Sequence, residues 1–125
     1  MKKMIAAALV GMCFAGLAQA EQKMTGDQIK ATFTDKTMDI HNLETGKHLP
    51  IYEAADGTHY VHIPWKNKTS KRQWSVEGDT WCTVHPKKGK TCREIYDMGH
   101  GTYNAKVDGE VVRIITNLRD GRDLP

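Results

Sequence analysis

Turn-forming residue pairs recur along this chain at short intervals, and they limit the fold more than any other feature. Each pair joins a glycine to a polar residue, at 45–46, 56–57, 78–79, 88–89 and 108–109. Between and beside them lie eight short runs rich in β-branched and aromatic residues, at 37–42, 48–53, 58–65, 72–77, 80–85, 91–97, 101–107 and 110–117. Such runs separated by such turns are typical of β-hairpins. The sequence therefore predicts an antiparallel meander of about eight strands.

A single helix is predicted ahead of the meander, at residues 25–34. Thr25 followed three positions later by Gln28 forms a capping-box pattern. Three apolar residues near helical spacing give this helix a face toward the core: Met24, Ile29 and Phe33. A meander after a helix either closes into a small barrel or stays a bent half-barrel with the helix covering one end. We expect a mainly β domain of this kind, with a loose tail at 120–123.

Residues 1–20 have the pattern of a secretory signal peptide. A positive start precedes an uncharged apolar run at 5–17, and Ala20 completes a small-x-small cleavage pattern. The run is too short for a comfortable membrane span, and no later segment approaches that length. We therefore expect a periplasmic or secreted protein, cleaved after Ala20, without a membrane span. Residues 21–125 suffice for a single domain.

Two of the three cysteines, Cys82 and Cys92, remain after this cleavage. A pair of cysteines in an exported chain is expected to form a disulfide. A two-residue turn at 78–79 places Ser75 opposite Cys82, and a hairpin centred on Lys87 places Cys82 opposite Cys92. Directly opposed residues of this kind are close enough for a bridge. The sequence predicts the disulfide Cys82–Cys92.

The turn at 108–109 predicts a second register. As a two-residue hairpin it pairs Ala105 with Val112. Because side chains alternate along a strand, Arg113 is then expected on the wet outer face. One face of this hairpin is apolar and the other is mostly polar, as expected of a sheet around a core.

Six histidines raise the question of a metal site. The turn at 45–46 pairs His48 with Leu43, and His59 and His62 are expected on opposite faces of one strand. Neither arrangement makes ligands converge, and the serines lie outside any strained nucleophile elbow. The sequence predicts no metal, no cofactor and no catalytic residue. An enzyme with an unrecognised site stays open as an alternative.

The middle of the chain is strongly basic. Residues 66–93 contain eight Lys or Arg and only two acidic residues. Such a segment attracts a polyanion, or its lysines simply solvate loops and protect strand edges. Trp74 and Trp81 are expected in the core, since they share one sheet face. The candidate contacts for a ligand or partner are the residues at the start of the basic segment: Trp65, Lys66, Lys68, Lys71 and Arg72.

Several short motifs occur in a distinctive order. They are Thr-Gly-Asp-Gln-Ile-Lys at 25–30, Ala-Asp-Gly-Thr at 55–58, Gln-Trp-Ser-Val-Glu-Gly-Asp at 73–79, Trp-Cys at 81–82, Cys92 and Gly-Thr-Tyr at 101–103. In this order the chain resembles a family of small exported bacterial proteins known only as a domain of unknown function. The resemblance implies a periplasmic or secreted β-rich domain. It implies no activity and no catalytic residues.

The leading functional hypothesis is a non-enzymatic binding module of the cell envelope. A small closed barrel often holds one ligand, here a small apolar or amphipathic molecule, or it caps another envelope protein. The first alternative is an interaction protein that binds a polyanion through its basic middle segment. The second alternative is the unrecognised enzyme. No specific nucleic-acid partner is expected.

Overall fold

The computed structural model describes residues 21–125, and the signal-peptide prediction at 1–20 lies outside the described residues. The elements in order are β1 (Gln22–Lys23), α1 (Gly26–Phe33), β2 (Lys36–Asn42), β3 (His48–Glu53), β4 (Thr58–Ile63), β5 (Lys68–Glu77), β6 (Thr80–His85), β7 (Gly89–Gly99), β8 (Thr102–Val107) and β9 (Glu110–Asp120). A 3-10 turn at Pro64–Lys66 lies between β4 and β5. Within 21–125, no helix is long and apolar enough to cross a membrane.

Strands β2 to β9 form a closed antiparallel barrel. Each pairs with the next in the chain, and β9 pairs back with β2, so the meander has no free edge. The mainly β class and the eight predicted strands are confirmed, and the barrel is closed. The additional strand β1 pairs with β7 at Tyr96 and Asp97, beyond the stretch that pairs with β6. With two residues, β1 is too short to leave a readable pattern.

Helix α1 closes one end of the barrel. The capping box is formed. Thr25 Oγ1 accepts a hydrogen bond from the backbone N–H of Gln28, and Gln28 Oε1 accepts one from the backbone N–H of Thr25. Ile29 and Phe33 are fully buried. The Phe33 ring packs edge-on against Trp81, with ring centroids 5.9 Å apart. The predicted helix and its core-facing residues are confirmed, as is the burial of both core tryptophans.

The helix sits directly on the β5–β6 turn, and Gly26 makes this possible. Its amide donates to Asp79 Oδ1 at 2.7 Å. A Cβ at position 26 would lie 2.1 Å from the carbonyl oxygen of Gly78. Only glycine therefore permits this contact without a shift of backbone. The close approach seals the end of the barrel at which α1 lies.

The hairpins around β6 have the predicted register. Ser75 lies opposite Cys82, and Cys82 lies opposite Cys92. The two sulfurs are 2.03 Å apart, which is bonding distance. Gly78 in the β5–β6 turn has φ of +58°, the left-handed region that the turn prediction requires.

Two other registers differ from prediction. Ala105 pairs with Arg113 rather than with Val112, because a bulge shifts the β8–β9 ladder by one residue. The β2–β3 connection is a five-residue loop rather than a two-residue turn, so His48 pairs with His41 and not with Leu43. The two imidazole rings stack with centroids 4.0 Å apart.

The expected loose tail at 120–123 is also wrong. Its backbone is tied to β2 and to the residue before it. The Gly121 amide donates to the Asp35 carbonyl, and the Asp123 amide donates to Thr37 Oγ1, each at 2.8 Å. These two hydrogen bonds hold the backbone of the tail in place, although the composition of residues 120–123 is typical of a loose segment.

Candidate ligand-binding cavity

The barrel is open at the end opposite α1. Successive turns alternate between the two ends because consecutive strands run in opposite directions. Four turns therefore surround the open end, which we call the mouth: 43–47, 64–67, 86–88 and 108–109. A cavity of about 760 Å³ lies between them and runs into the barrel. Its size falls in the range of small-molecule binding sites.

The walls of the cavity are mixed, with aliphatic side chains set among polar and charged ones. The aliphatic side chains lining it come from four strands and the β9 bulge: Leu49, Val61, Ile63, Val84, Val107 and Val112. Toward the floor, the cavity passes into a recess of about 90 Å³ that also contacts Ile40, Ile51 and Trp81. An apolar group in this space would bury its surface against side chains from all sides.

Three arginines line both the cavity and its recess: Arg72 on β5, Arg93 on β7 and Arg113 on β9. Arg93 is only 7% exposed. Its Nη1 donates to Thr83 Oγ1 at 3.0 Å, and its guanidinium carbon lies 5.2 Å from the centroid of the Trp81 ring. Guanidinium groups at this depth are rare unless an anion pairs with them.

Two of these guanidinium groups have hydrogen-bonding capacity left over. Among the described residues, the Nε atoms of Arg72 and Arg93 are buried and have no hydrogen-bond partner. Burial and the neighbouring Arg113 lower the pKa of Arg93 to about 10, and burial also lowers the pKa of Arg72. Both groups still carry a positive charge at neutral pH. The cavity thus contains buried cationic donors that the protein does not itself satisfy.

Two carboxylates partly balance the arginines. Glu53 is fully buried near the floor, with Oε1 at 2.5 Å from His59 Nδ1 and Oε2 accepting from Trp81 Nε1 at 2.7 Å. At the mouth, Glu44 Oε1 accepts from Arg113 Nη1 at 2.7 Å, and this bond lowers the pKa of Glu44. Glu53 and Glu44 are thus engaged with other groups. The structure gives neither Arg72 nor Arg93 a salt-bridge partner within residues 21–125.

The five predicted contact residues are divided among three places. Arg72 faces the cavity, whereas Lys71 lies exposed on the outer wall, with Nζ 5.9 Å from the Tyr60 ring centroid. The other three lie exposed at the mouth: Trp65, which also lines the cavity, and Lys66 in the 3-10 turn, and Lys68 beside them at the start of β5. Because neighbouring residues in a strand point to opposite faces, a contiguous basic segment does not form one surface.

Arg93 and Arg113 are absent from the sequence-based candidate site. The predicted pairing of Cys82 with Cys92 already places Arg93 opposite Trp81, a residue expected in the core, so that signal was available. An unbroken two-residue hairpin predicts Arg113 on the outer face. The β8–β9 bulge shifts the register and brings Arg113 inside, and no turn residue marks the bulge.

No protein-family model, curated protein or solved structure matches the chain. The resemblance to a family of small exported proteins therefore stays a prediction.

Proposed function

We propose that this protein binds a small amphipathic acid in the barrel cavity. The acid group contacts Arg72 and Arg93, and the apolar part points toward the mouth. The observation that carries the proposal is a pair of arginines, Arg93 buried and Arg72 half-buried, whose buried Nε atoms lack partners in a cavity open to solvent.

An anionic head group would offset the cost of burying unpaired guanidinium groups in this cavity. A buried cation without a partner costs several kcal/mol (order of magnitude) because it loses its hydration. A carboxylate or phosphate restores charge neutrality and accepts the unused N–H groups, and such charge-assisted bonds are strong. Guanidinium is planar and matches these two acids in a bidentate manner. Arg72 and Arg93 thus favour an oxyacid over a neutral ligand.

The surroundings of the arginines define the rest of the ligand. Arg72 and Arg93 both line the recess, so the acid group enters first. The aliphatic walls between recess and mouth, among them Ile63 and Val107, then face the remaining part of the ligand. This arrangement favours a molecule with one acidic end and an apolar body.

The proposed location is the periplasm or the extracellular space. The proposal rests on the signal-peptide pattern at 1–20 and on the pair Cys82–Cys92, since disulfides persist in oxidising compartments. The protein would there act as a carrier or reservoir for its acid, without chemical conversion.

Calorimetric titration of residues 21–125 tests the proposal with four ligands of equal chain length: decanoate, decyl phosphate, decanol and decyltrimethylammonium. We expect decanoate and decyl phosphate to bind and the neutral and cationic molecules to bind at least about tenfold more weakly, because they leave the guanidinium groups unpaired. Equal affinity for decanol and decanoate would contradict the proposal.

Three single variants locate the binding site. Arg93→Met and Arg72→Met each remove a cavity cation, and we expect each to weaken decanoate binding about 10- to 100-fold. Arg119→Met is the matched control, because Arg119 pairs with Asp39 and Asp123 rather than lining the cavity. Unchanged affinity in both cavity variants, or an equal loss in the control, would refute the assigned site.

The Glu53–His59 pair favours a second candidate function, acid–base catalysis of ester hydrolysis in the cavity, with water as the nucleophile. His59 lines the cavity, and its Nδ1 is held by a buried carboxylate, an arrangement that orients an imidazole for proton transfer. Incubation of decanoyl esters with the protein and with His59→Gln distinguishes the two functions. Turnover that disappears in His59→Gln supports catalysis, and intact esters support a binding protein.

A further inference from the structure

The mouth of the barrel carries an unusual pair of exposed apolar side chains. Leu43 is 41% exposed and Trp65 is 54% exposed, and they are the exposed large hydrophobic residues of the part of the chain that the structure describes. Leu43 lies in the turn 43–47 and Trp65 in the turn 64–67, so both belong to the mouth.

The turns at the two ends of the barrel also differ in charge. The four mouth turns contain four lysines and two acidic residues, Glu44 and Asp108. The three turns at the other end (54–57, 78–79 and 100–101) contain two aspartates and no Lys or Arg. The mouth is therefore net positive and the closed end net negative. The ammonium group of Lys47 also lies 4.1 Å from the centroid of the Trp65 ring, which joins the apolar and basic features into one surface.

We infer that the mouth docks on the surface of an anionic phospholipid bilayer. Trp65 and Leu43 insert at the headgroup level, where an indole ring is favoured. The lysines of the mouth turns, Lys47, Lys66, Lys87 and Lys88, contact lipid phosphates. Two separate apolar side chains within a basic rim suit this interface better than a protein partner, which requires a larger continuous patch.

This docking would place the cavity directly against the lipid. The acid of the proposed function would then pass between bilayer and cavity without crossing water. The docking is tested separately from that ligand, because none of its contact residues is Arg72 or Arg93, although Lys47, Trp65 and Lys88 also line the cavity.

Vesicle titration followed by tryptophan emission tests the inference. The probes are vesicles of phosphatidylcholine with one quarter phosphatidylglycerol, and vesicles of phosphatidylcholine alone. Trp74 and Trp81 are buried, so a blue shift on binding reports mainly Trp65. We expect the shift with the anionic vesicles, its reversal by about 0.5 M salt, and at least tenfold weaker binding to the neutral vesicles. Association without a change in emission would overturn the inference, as would equal binding to both compositions.

Matched variants separate the mouth from general charge. Lys87→Gln with Lys88→Gln should weaken vesicle binding about 25-fold, at roughly fivefold per lysine near the surface. Lys30→Gln with Lys71→Gln removes the same charge from the closed end and outer wall and should leave binding within about twofold. Equal losses in the two pairs would refute docking through the mouth. Arg93→Met should weaken decanoate binding about 10- to 100-fold yet retain vesicle binding, so the failure of one proposal is distinguishable from the failure of the other.

Discussion

The two halves of the barrel are built on different principles. The half beneath α1 is filled mainly by fully buried apolar side chains, among them Phe33, Met38 and Ile95, with the buried pair Glu53–His59 as a polar exception. The half toward the mouth holds an open cavity, with arginine side chains whose Nε atoms have no partner. A chain optimised only for stability would have filled both halves with apolar side chains, since well-packed hydrophobic replacements of buried charges are often neutral or stabilising. This contrast between the halves is what the proposed binding function rests on.

Phe33 gives the largest expected effect, because it anchors the closed half. Its ring is fully buried and packs edge-on against Trp81 and Tyr103. Phe33→Ala should lower the free energy of unfolding by about 3–5 kcal/mol. Leu49→Ala, in the cavity wall, should cost less than half as much because it enlarges an existing space. Urea unfolding measures both, and similar losses would break the distinction between the halves.

Removal of the disulfide gives the next largest effect. The double variant Cys82→Ser with Cys92→Ser frees a loop of about eleven residues, and chain entropy predicts a loss of roughly 3 kcal/mol. The double variant should therefore have a lower melting temperature than the unmodified protein. A reducing agent added to the unmodified protein should lower its melting temperature to about that of the double variant. An unchanged melting temperature in both experiments would show that the bond does not constrain the unfolded chain.

Arg93 provides an effect of the opposite sign. Arg93→Met replaces a buried cation by an apolar side chain and should raise the free energy of unfolding by about 1–2 kcal/mol, while decanoate no longer raises the melting temperature. Retained decanoate stabilisation, or a loss of stability, would mean that Arg93 serves the fold rather than the ligand.

The smallest effect concerns Glu44 at the mouth. The Glu44 side chain is 64% exposed, although its partner Arg113 is only 16% exposed, so solvent screens the pair and Glu44→Gln should cost less than about 1 kcal/mol at neutral pH. Because the folded pKa of Glu44 is lowered, this contribution is full above the unfolded value of 4.5 and is lost as the pH falls through the folded pKa. Urea unfolding between pH 7 and about pH 3 measures it. If the difference in unfolding free energy between Glu44→Gln and the unmodified protein grows toward low pH, the assignment of this pair is wrong.

Glu44→Gln should also tighten decanoate binding, since Arg113 becomes available to the acid.

The sequence predicts the elements that depend on local signals. The capping box of α1, the turn at Gly78 and the two hairpins around the disulfide are readable from the sequence, because each depends on a few neighbouring residues, whereas the turn predicted at 45–46 is wrong. The cavity depends on which face each arginine occupies. One bulge in β9 moves Arg113 to the inside, and the bulge has no residue signature. Whether the sheet closes is also decided by the β9–β2 pairing, between strands far apart in the chain.

The alternation of turns along the up-and-down barrel has a consequence for how such proteins diverge. Residues that meet at the mouth are separated in the chain by two strands and a turn at the opposite end. Relatives adapted to other ligands should therefore differ at regularly spaced short clusters, while the intervening turns beneath α1 stay constant. A search for one contiguous binding motif would therefore miss these substitutions, whereas a search for clusters spaced by two strands and a turn would detect them.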